Sequence, residues 1–173
     1  MLIALTGTPG VGKTTVARLL GERGLIIKDQ NILFSQMGLL DDYDELADSY
    51  LIALKVIEDL DLRDEEIVVL EGHLTHNIGV DIIIVLRCHP SMIFHRLVER
   101  GYPESKAKEN ALSEALDVIL VESLEKDVLT FELDCTGLSP ANSASFIMEI
   151  INGKCDGYLP GNVDWTEELI RWS

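Results

Sequence analysis

Five short apolar runs, each followed by glycine or polar residues, indicate buried β-strands along the chain. They occupy residues 2–5, 25–27, 67–70 and 82–86, with a weaker run at 131–134. Runs of this length that are bounded by turn residues are typical of strands buried on both faces of a parallel sheet.

Between these runs, apolar residues recur every three or four positions, which indicates helices. Strands that alternate with helices predict a three-layer α/β/α fold around a five-stranded parallel sheet. The predicted helices cover 13–22, 91–100, 106–126 and 140–151, with a short helix capped by Asp164 in the tail.

The stretch between the second and third predicted strands has a different composition. Residues 41–66 contain eleven acidic residues and only two basic residues, Lys55 and Arg63. Because the apolar positions here follow a helical period, we expect this stretch to be mostly amphipathic helix.

The overall composition is that of a globular protein. The 173 residues fit one domain, 1–173, large enough to bury a core without disulfides. Apolar residues make up 47%, which excludes intrinsic disorder as the main state. No apolar run reaches the roughly 18 residues of a membrane span, and the first residues do not resemble a signal peptide. Three scattered cysteines without metal spacing indicate reduced thiols, so we expect a cytoplasmic protein.

The net charge is −16, from 14 basic and 30 acidic residues. A surface of this charge repels nucleic acid, so broad binding to a phosphate backbone is not expected. It favours a basic protein partner. The alternative is that the charge serves only solubility or adaptation to high salt.

Residues 7–14, GTPGVGKT, match the phosphate-binding pattern G-x-x-x-x-G-K-[ST], between a predicted strand and a predicted helix. Its glycines let backbone N–H groups turn towards phosphate oxygens, and the helix N-terminus adds positive potential. We expect the lysine to neutralise the β- and γ-phosphates of ATP and the first threonine to coordinate Mg²⁺. The predicted nucleotide-binding residues of this loop are Gly10, Gly12, Lys13, Thr14 and Thr15.

Polar residues at the ends of other predicted strands extend this site, because parallel strands end at one edge of the sheet. Glu71 follows the third strand and is the candidate acid for the Mg²⁺ shell, with Asp29 as the competitor. His73 is a candidate acid–base or water-positioning group, and His76 is a weaker one. Arg87 ends the fourth strand and is expected at the same edge.

Phosphoryl transfer also needs cations that bear the developing charge. Arg96 and Arg100 lie four residues apart on one predicted helix, followed by a hinge-like break at 101–103. Lys106 and Lys108 lie just beyond it. This arrangement predicts a small lid that closes over the triphosphate. The alternative is that these cations pair with Glu99 or Glu104 on an exposed helix surface.

The loop resembles that of nucleoside monophosphate kinases. Four further segments, EGH, VLR, RLVERGYPESKAKEN and VDW, resemble the small adenylate kinase-like family that includes the coilin-interacting nuclear ATPase and its archaeal relatives. The resemblance covers nearly the whole chain. It implies a single kinase domain with a helical NMP-binding insertion at 30–53 and a short lid at 100–110. It also implies that Arg100 binds ATP and that Glu71 and His73 form the family's acid-x-His element.

The family is described as a nucleoside monophosphate kinase and ATPase that acts in late maturation of the small ribosomal subunit, with a basic ribosomal protein as partner.

The chain departs from this family at Ser35, which by ungapped alignment takes the place of the arginine that holds AMP. No arginine occurs between Arg23 and Arg63, and a lysine lacks the bidentate fork that grips phosphate. We therefore expect weak phosphorylation of AMP. The family's acid is usually aspartate, and we expect Glu71 to serve through a water of the Mg²⁺ shell.

Three hypotheses follow. The first is an adenylate or NMP kinase that transfers the γ-phosphoryl group of ATP to AMP or water. The second is an ATP-hydrolysing switch that releases a ribosomal partner from the immature small subunit. The third is a kinase for another small metabolite, since many phosphate-loop kinases share one fold.

Overall fold

The computed structural model describes residues 1–36 and 66–172, which contain a five-stranded, all-parallel sheet in the order β2-β3-β1-β4-β5. The predicted five-stranded parallel sheet is confirmed. The central strand is buried along its whole length, as its unbroken apolar run predicts. The strands are β1 (Leu2–Thr6), β2 (Ile26–Asp29), β3 (Val68–Glu71), β4 (Ile82–Arg87) and β5 (Leu129–Asp134).

Helices cover both faces of the sheet, which completes the predicted three layers. Alternate residues of β4 face opposite sides: Ile84 joins one cluster with α1, α3 and α6, whereas Ile83 joins another with α5. The helices are α1 (Lys13–Glu22), α2 (Gln30–Gln36), α3 (Pro90–Glu99), α4 (Glu104–Ala115), α5 (Val118–Leu124), α6 (Pro140–Ile151) and α7 (Leu169–Trp172).

Short 3₁₀ turns lie at Thr75–Asn77 and Thr166–Glu168. The helix predicted over 41–66 lies outside the described residues, as does most of the insertion predicted over 30–53. The first part of that insertion is α2. In the part of the chain that the structure describes, no helix is both long and apolar enough to cross a membrane.

The prediction of one continuous helix over 106–126 is wrong. The chain forms two helices, α4 and α5, separated at Asp117, which adopts left-handed backbone geometry with φ 56°. The guanidinium of Arg87 bonds both the Asp117 carboxylate and the carbonyl of Glu114. This contact from β4 holds the break in place, and aspartate tolerates left-handed geometry better than most residues.

The C-terminal segment packs against α3. Trp172 is buried, its ring lies 5.2 Å from that of Phe94, and its indole N–H donates to Glu168. Trp165 stacks edge-on against His89, with ring centroids 5.1 Å apart. These aromatic contacts attach the tail to the core.

Candidate active site

The phosphate-binding loop joins the end of β1 to the start of α1. Gly7, Gly10 and Gly12 all have positive φ angles, between 97° and 138°. At Gly7 a side chain is excluded as well, because a Cβ there would lie 2.4 Å from the carbonyl oxygen of Leu86. The glycines of the motif therefore shape the loop, as the sequence pattern requires.

Lys13, the first residue of α1, folds back over this loop and is 8% exposed. Its ammonium donates to the carbonyl oxygens of Gly7 (2.7 Å) and Thr8 (3.2 Å). Burial lowers the pKa of Lys13 to about 8, although the carboxylates of Glu71 and Glu114 partly oppose that effect. A phosphate group placed beside this desolvated ammonium would stabilise its charge.

Thr14 and Glu71 meet at the mouth of the loop. The Thr14 hydroxyl donates to the Glu71 carboxylate over 2.9 Å, across 57 residues of sequence. Burial raises the pKa of Glu71; the Thr14 hydrogen bond opposes that rise, and the nearby carboxylate of Asp29 adds to it. A hydroxyl and a carboxylate in contact, with excess negative charge, fit a Mg²⁺ ion that keeps most of its waters.

Asp29, the competing acid, has a different role. Its carboxylate accepts backbone N–H groups from Asn31 (2.7 Å) and Ile32 (3.2 Å) and so stabilises the start of α2. The geometry therefore favours Glu71 over Asp29 as the acid beside the threonine.

A cleft of about 340 Å³ opens over the loop. It brings together residues predicted from three separate segments. It also includes Tyr102, which was predicted only as part of the hinge at 101–103, and Asn31, which no motif indicated. The predicted residues that line it are Gly10, Gly12, Lys13, Thr14, Thr15, Glu71, His73 and Arg100.

Arg96 is placed differently from Arg100. Its guanidinium donates to the loop carbonyls of Gly10 (3.1 Å) and Val11 (3.4 Å). It also lines a second cavity of about 220 Å³, which shares Gly10 with the cleft, together with Arg100 and Cys135. Arg96 thus supports the loop and faces this second cavity.

The two lysines beyond the hinge lie on the exposed surface of α4. Lys106 pairs with Glu109 over 2.7 Å, and both side chains are largely exposed. A pairing on the helix surface was the alternative to a lid role, but it was expected with Glu99 or Glu104. Lys106 lines a separate groove of about 770 Å³ that meets the cleft at Pro9 and His73.

Arg87 does not extend towards the cleft, contrary to expectation. Its side chain is 1% exposed and is enclosed by the carboxylates of Glu114 (2.7 Å), Glu132 (2.5 Å) and Asp117. Burial by itself disfavours its charge, but Glu114 and Asp117 outweigh that effect and raise the pKa of Arg87. The reason for the error is that these carboxylates are distant in sequence and become neighbours only when the end of α4 and strand β5 lie beside β4.

His76 is buried, whereas His73 lines the cleft. The His76 ring lies between the Thr6 hydroxyl (3.2 Å) and the Glu122 carboxylate (2.9 Å). Burial lowers the pKa of His76, and the Glu122 carboxylate opposes this. His76 therefore connects β1 to α5 and lies apart from the reacting centre.

Comparison with known proteins agrees with this geometry. Residues 3–117 match the family model described as "AAA domain". The "Putative adenylate kinase" of Methanocaldococcus jannaschii is 40% identical over 99% of this chain and 97% of its own length. The protein of the same name from Pyrococcus furiosus is 39% identical over the same shares.

Solved structures share the fold at lower identity. A shikimate kinase from Acinetobacter baumannii superposes with a TM-score of 0.61 at 16% identity, covering 88% of this chain and 93% of its own. A deoxyadenosine kinase from M. mycoides gives 0.56 at 18%, covering 89% and 100%. The fold and the loop define a phosphotransferase of the P-loop kinase class. Within that class, the chain belongs to the adenylate kinase-like family of these archaeal relatives.

Proposed function

We propose that the chain is a Mg²⁺- and ATP-dependent nucleoside monophosphate kinase with ATPase activity. The γ-phosphoryl group of ATP would pass to AMP, to another NMP or to water. The observation that carries the proposal is the assembly of Lys13, Thr14 and Glu71 at one end of the cleft. This arrangement provides a buried cation for phosphate beside an oxygen pair that suits a divalent metal.

In this proposal, different residues of the chain have different roles in phosphoryl transfer. Lys13 and the loop N–H groups hold the β- and γ-phosphates, and Thr14 and Glu71 hold Mg²⁺, which offsets phosphate charge when bound. Arg100 lines the cleft and neutralises charge on the transferred group. His73 is positioned to orient the acceptor or a water.

The second cavity suits the base of ATP. It shares Gly12 and Thr15 with the cleft over the loop, so it adjoins the place proposed for the phosphates. Its walls combine the cationic Arg96 and Arg100 with the apolar Leu138 and Pro140. Planar guanidinium groups and apolar side chains are suitable surfaces against which an aromatic base can pack.

The second candidate function is an ATP-driven assembly switch in maturation of the small ribosomal subunit. Two observations favour it: Ser35, in place of an AMP-binding arginine, is an exposed residue of α2, and the net charge of −16 suits a basic ribosomal protein. In this case hydrolysis would limit the lifetime of a complex with the immature subunit, and NMP kinase activity would be incidental. A kinase for another small metabolite is the third possibility.

The test is ADP formation from ATP and Mg²⁺, with and without AMP. Lys13→Ala should abolish activity. Lys154→Ala should leave activity unchanged, because Lys154 is an exposed residue that follows α6. Stimulation by AMP supports the kinase. Slow hydrolysis that AMP does not change supports the switch, which is then tested by ATP-dependent binding of a basic small-subunit ribosomal protein. Stimulation only by a different acceptor in a metabolite panel supports the third function. Activity that survives Lys13→Ala would refute the proposed site.

A further inference from the structure

Thr8, the second residue of the phosphate-binding loop, is held at both its backbone and its side chain, and it is 1% exposed. Its carbonyl oxygen accepts hydrogen bonds from the Lys13 ammonium (3.2 Å) and from the backbone N–H of Val11 (3.2 Å). Its hydroxyl donates to the Glu114 carboxylate over 2.5 Å. One of the two carbonyl groups that bond Lys13 therefore belongs to a residue whose side chain is bonded to a carboxylate 106 residues away in sequence.

Glu114 is itself tightly held. It is 3% exposed, and its second carboxylate oxygen accepts from the Arg87 guanidinium (2.7 Å) and from the backbone N–H of Cys88 (3.2 Å). Arg87 also bonds Glu132, whose other oxygen accepts the backbone N–H of Gly161 (2.8 Å). A carboxylate with both oxygens in use inside a paired network has little freedom to move.

We propose that Glu114 is a positioning residue of the active site, which fixes the phosphate-binding loop through Thr8 and so places Lys13 for the phosphates of ATP. Glu114 lies near the end of α4, and α4 begins just after Tyr102, which lines the cleft. The same helix therefore joins the rim of the cleft to the base of the loop. This inference rests on the proposed function, because it assigns Lys13 to ATP.

The test is Thr8→Val, which removes the hydroxyl and keeps the shape, compared with Thr8→Ser, which restores the hydroxyl. Loss of a hydrogen bond to a charged group changes an equilibrium constant by about tenfold or more. We expect Thr8→Val to raise the KM for ATP about tenfold, with the KM of the acceptor unchanged, and Thr8→Ser to stay near wild type. Glu114→Gln should raise the KM for ATP as well. The Thr8→Val/Glu114→Gln double variant should raise the KM for ATP no further than the worse single variant does, because both changes act through one contact.

Thr130→Val is the matched control. Thr130 is also a buried threonine (5% exposed), and its hydroxyl bonds only backbone carbonyls of Ser123 and Val128 among the described contacts. A purely structural role of Thr8 predicts that both Val variants lose stability and neither changes the KM for ATP. That outcome, or an equal rise in KM for Thr130→Val, would overturn the inference.

A second readout does not depend on ATP. Amide hydrogen exchange of residues 7–12 in the nucleotide-free protein should speed up in Thr8→Val and not in Thr8→Ser or Thr130→Val. Unchanged exchange in Thr8→Val would refute the inference even if the wild type is an active kinase. A wild type that neither binds nor hydrolyses ATP would refute the proposed function, while the exchange measurement would still decide whether Glu114 fixes the loop.

Discussion

Replacement of Arg87 by methionine tests the buried ion-pair network. Arg87 is the cation shared by Glu114 and Glu132, and each of those carboxylates is 3% exposed. Methionine replaces the aliphatic part of the arginine side chain and leaves both carboxylates buried without a cation. Asp117 is more exposed, with 36% of its side chain in solvent, so water can replace its contact with Arg87.

The expected cost follows from these burials. Removal of one partner of a buried ion pair destabilises by about 3–5 kcal/mol. Total stabilities are about 5–15 kcal/mol, so Arg87→Met loses a large fraction of the folding free energy. At about 2–4 °C per kcal/mol for a chain of this size, the Tm should fall by roughly 6–20 °C.

The assay is urea unfolding at pH 7, followed by tryptophan fluorescence. Arg18→Met is the control, because Arg18 pairs with Glu22 on the surface, where both side chains are more than half exposed. It should cost about 1 kcal/mol or less. Adding Glu114→Gln and Glu132→Gln to Arg87→Met removes the buried charges and should recover part of the loss. An Arg87→Met protein as stable as Arg18→Met, or a triple variant less stable than Arg87→Met, would refute the reasoning.

Three further predictions concern the tail, the pH dependence and the acceptor. Trp172→Ala should cost about 3 kcal/mol in urea unfolding, because it empties a buried aromatic site, whereas Ile170→Ala, at a side chain 90% exposed, should change stability by less than about 0.5 kcal/mol. The pKa of His76 is lower in the folded state than in the unfolded state. The unfolded state therefore binds more protons below about pH 6.5. The free energy of unfolding should consequently fall on acidification, by at most about 1.4 kcal/mol per pH unit. His76→Gln should reduce the pH dependence of the unfolding free energy between pH 5 and 7. His95→Gln is the control, because His95 is exposed. An equal pH dependence in the two variants would contradict this role of His76. Ser35→Arg should increase the stimulation of ADP formation by AMP, since arginine binds phosphate in a bidentate manner; no increase would mean that another residue holds AMP.

Local chemistry alone was sufficient for much of this protein. The apolar runs predicted all five strands of the sheet within a few residues. The signal was clearest for the central strand β1, because a strand buried on both faces must be mostly apolar. The loop at 7–14 was equally clear, since its glycines need backbone angles that other residues avoid and its lysine follows directly in sequence. These features are determined by residues that are adjacent in the chain, so they can be predicted from the sequence alone.

The contacts that complete the site depend on how the elements pack. From sequence, Glu71 and Asp29 were both candidate acids; the strand order places Glu71 beside Thr14, while Asp29 is used at the start of α2. Arg87 was expected at the cleft, and only the tertiary structure, which brings the end of α4 and strand β5 beside β4, shows that carboxylates enclose it. The break between α4 and α5 and the hydrogen bond from Thr8 to Glu114 also depend on how the elements pack. The contacts of a charged side chain depend on its partners, and in this fold those partners lie tens of residues away. The tertiary structure therefore decided which residues line the cleft and which support the loop from behind it.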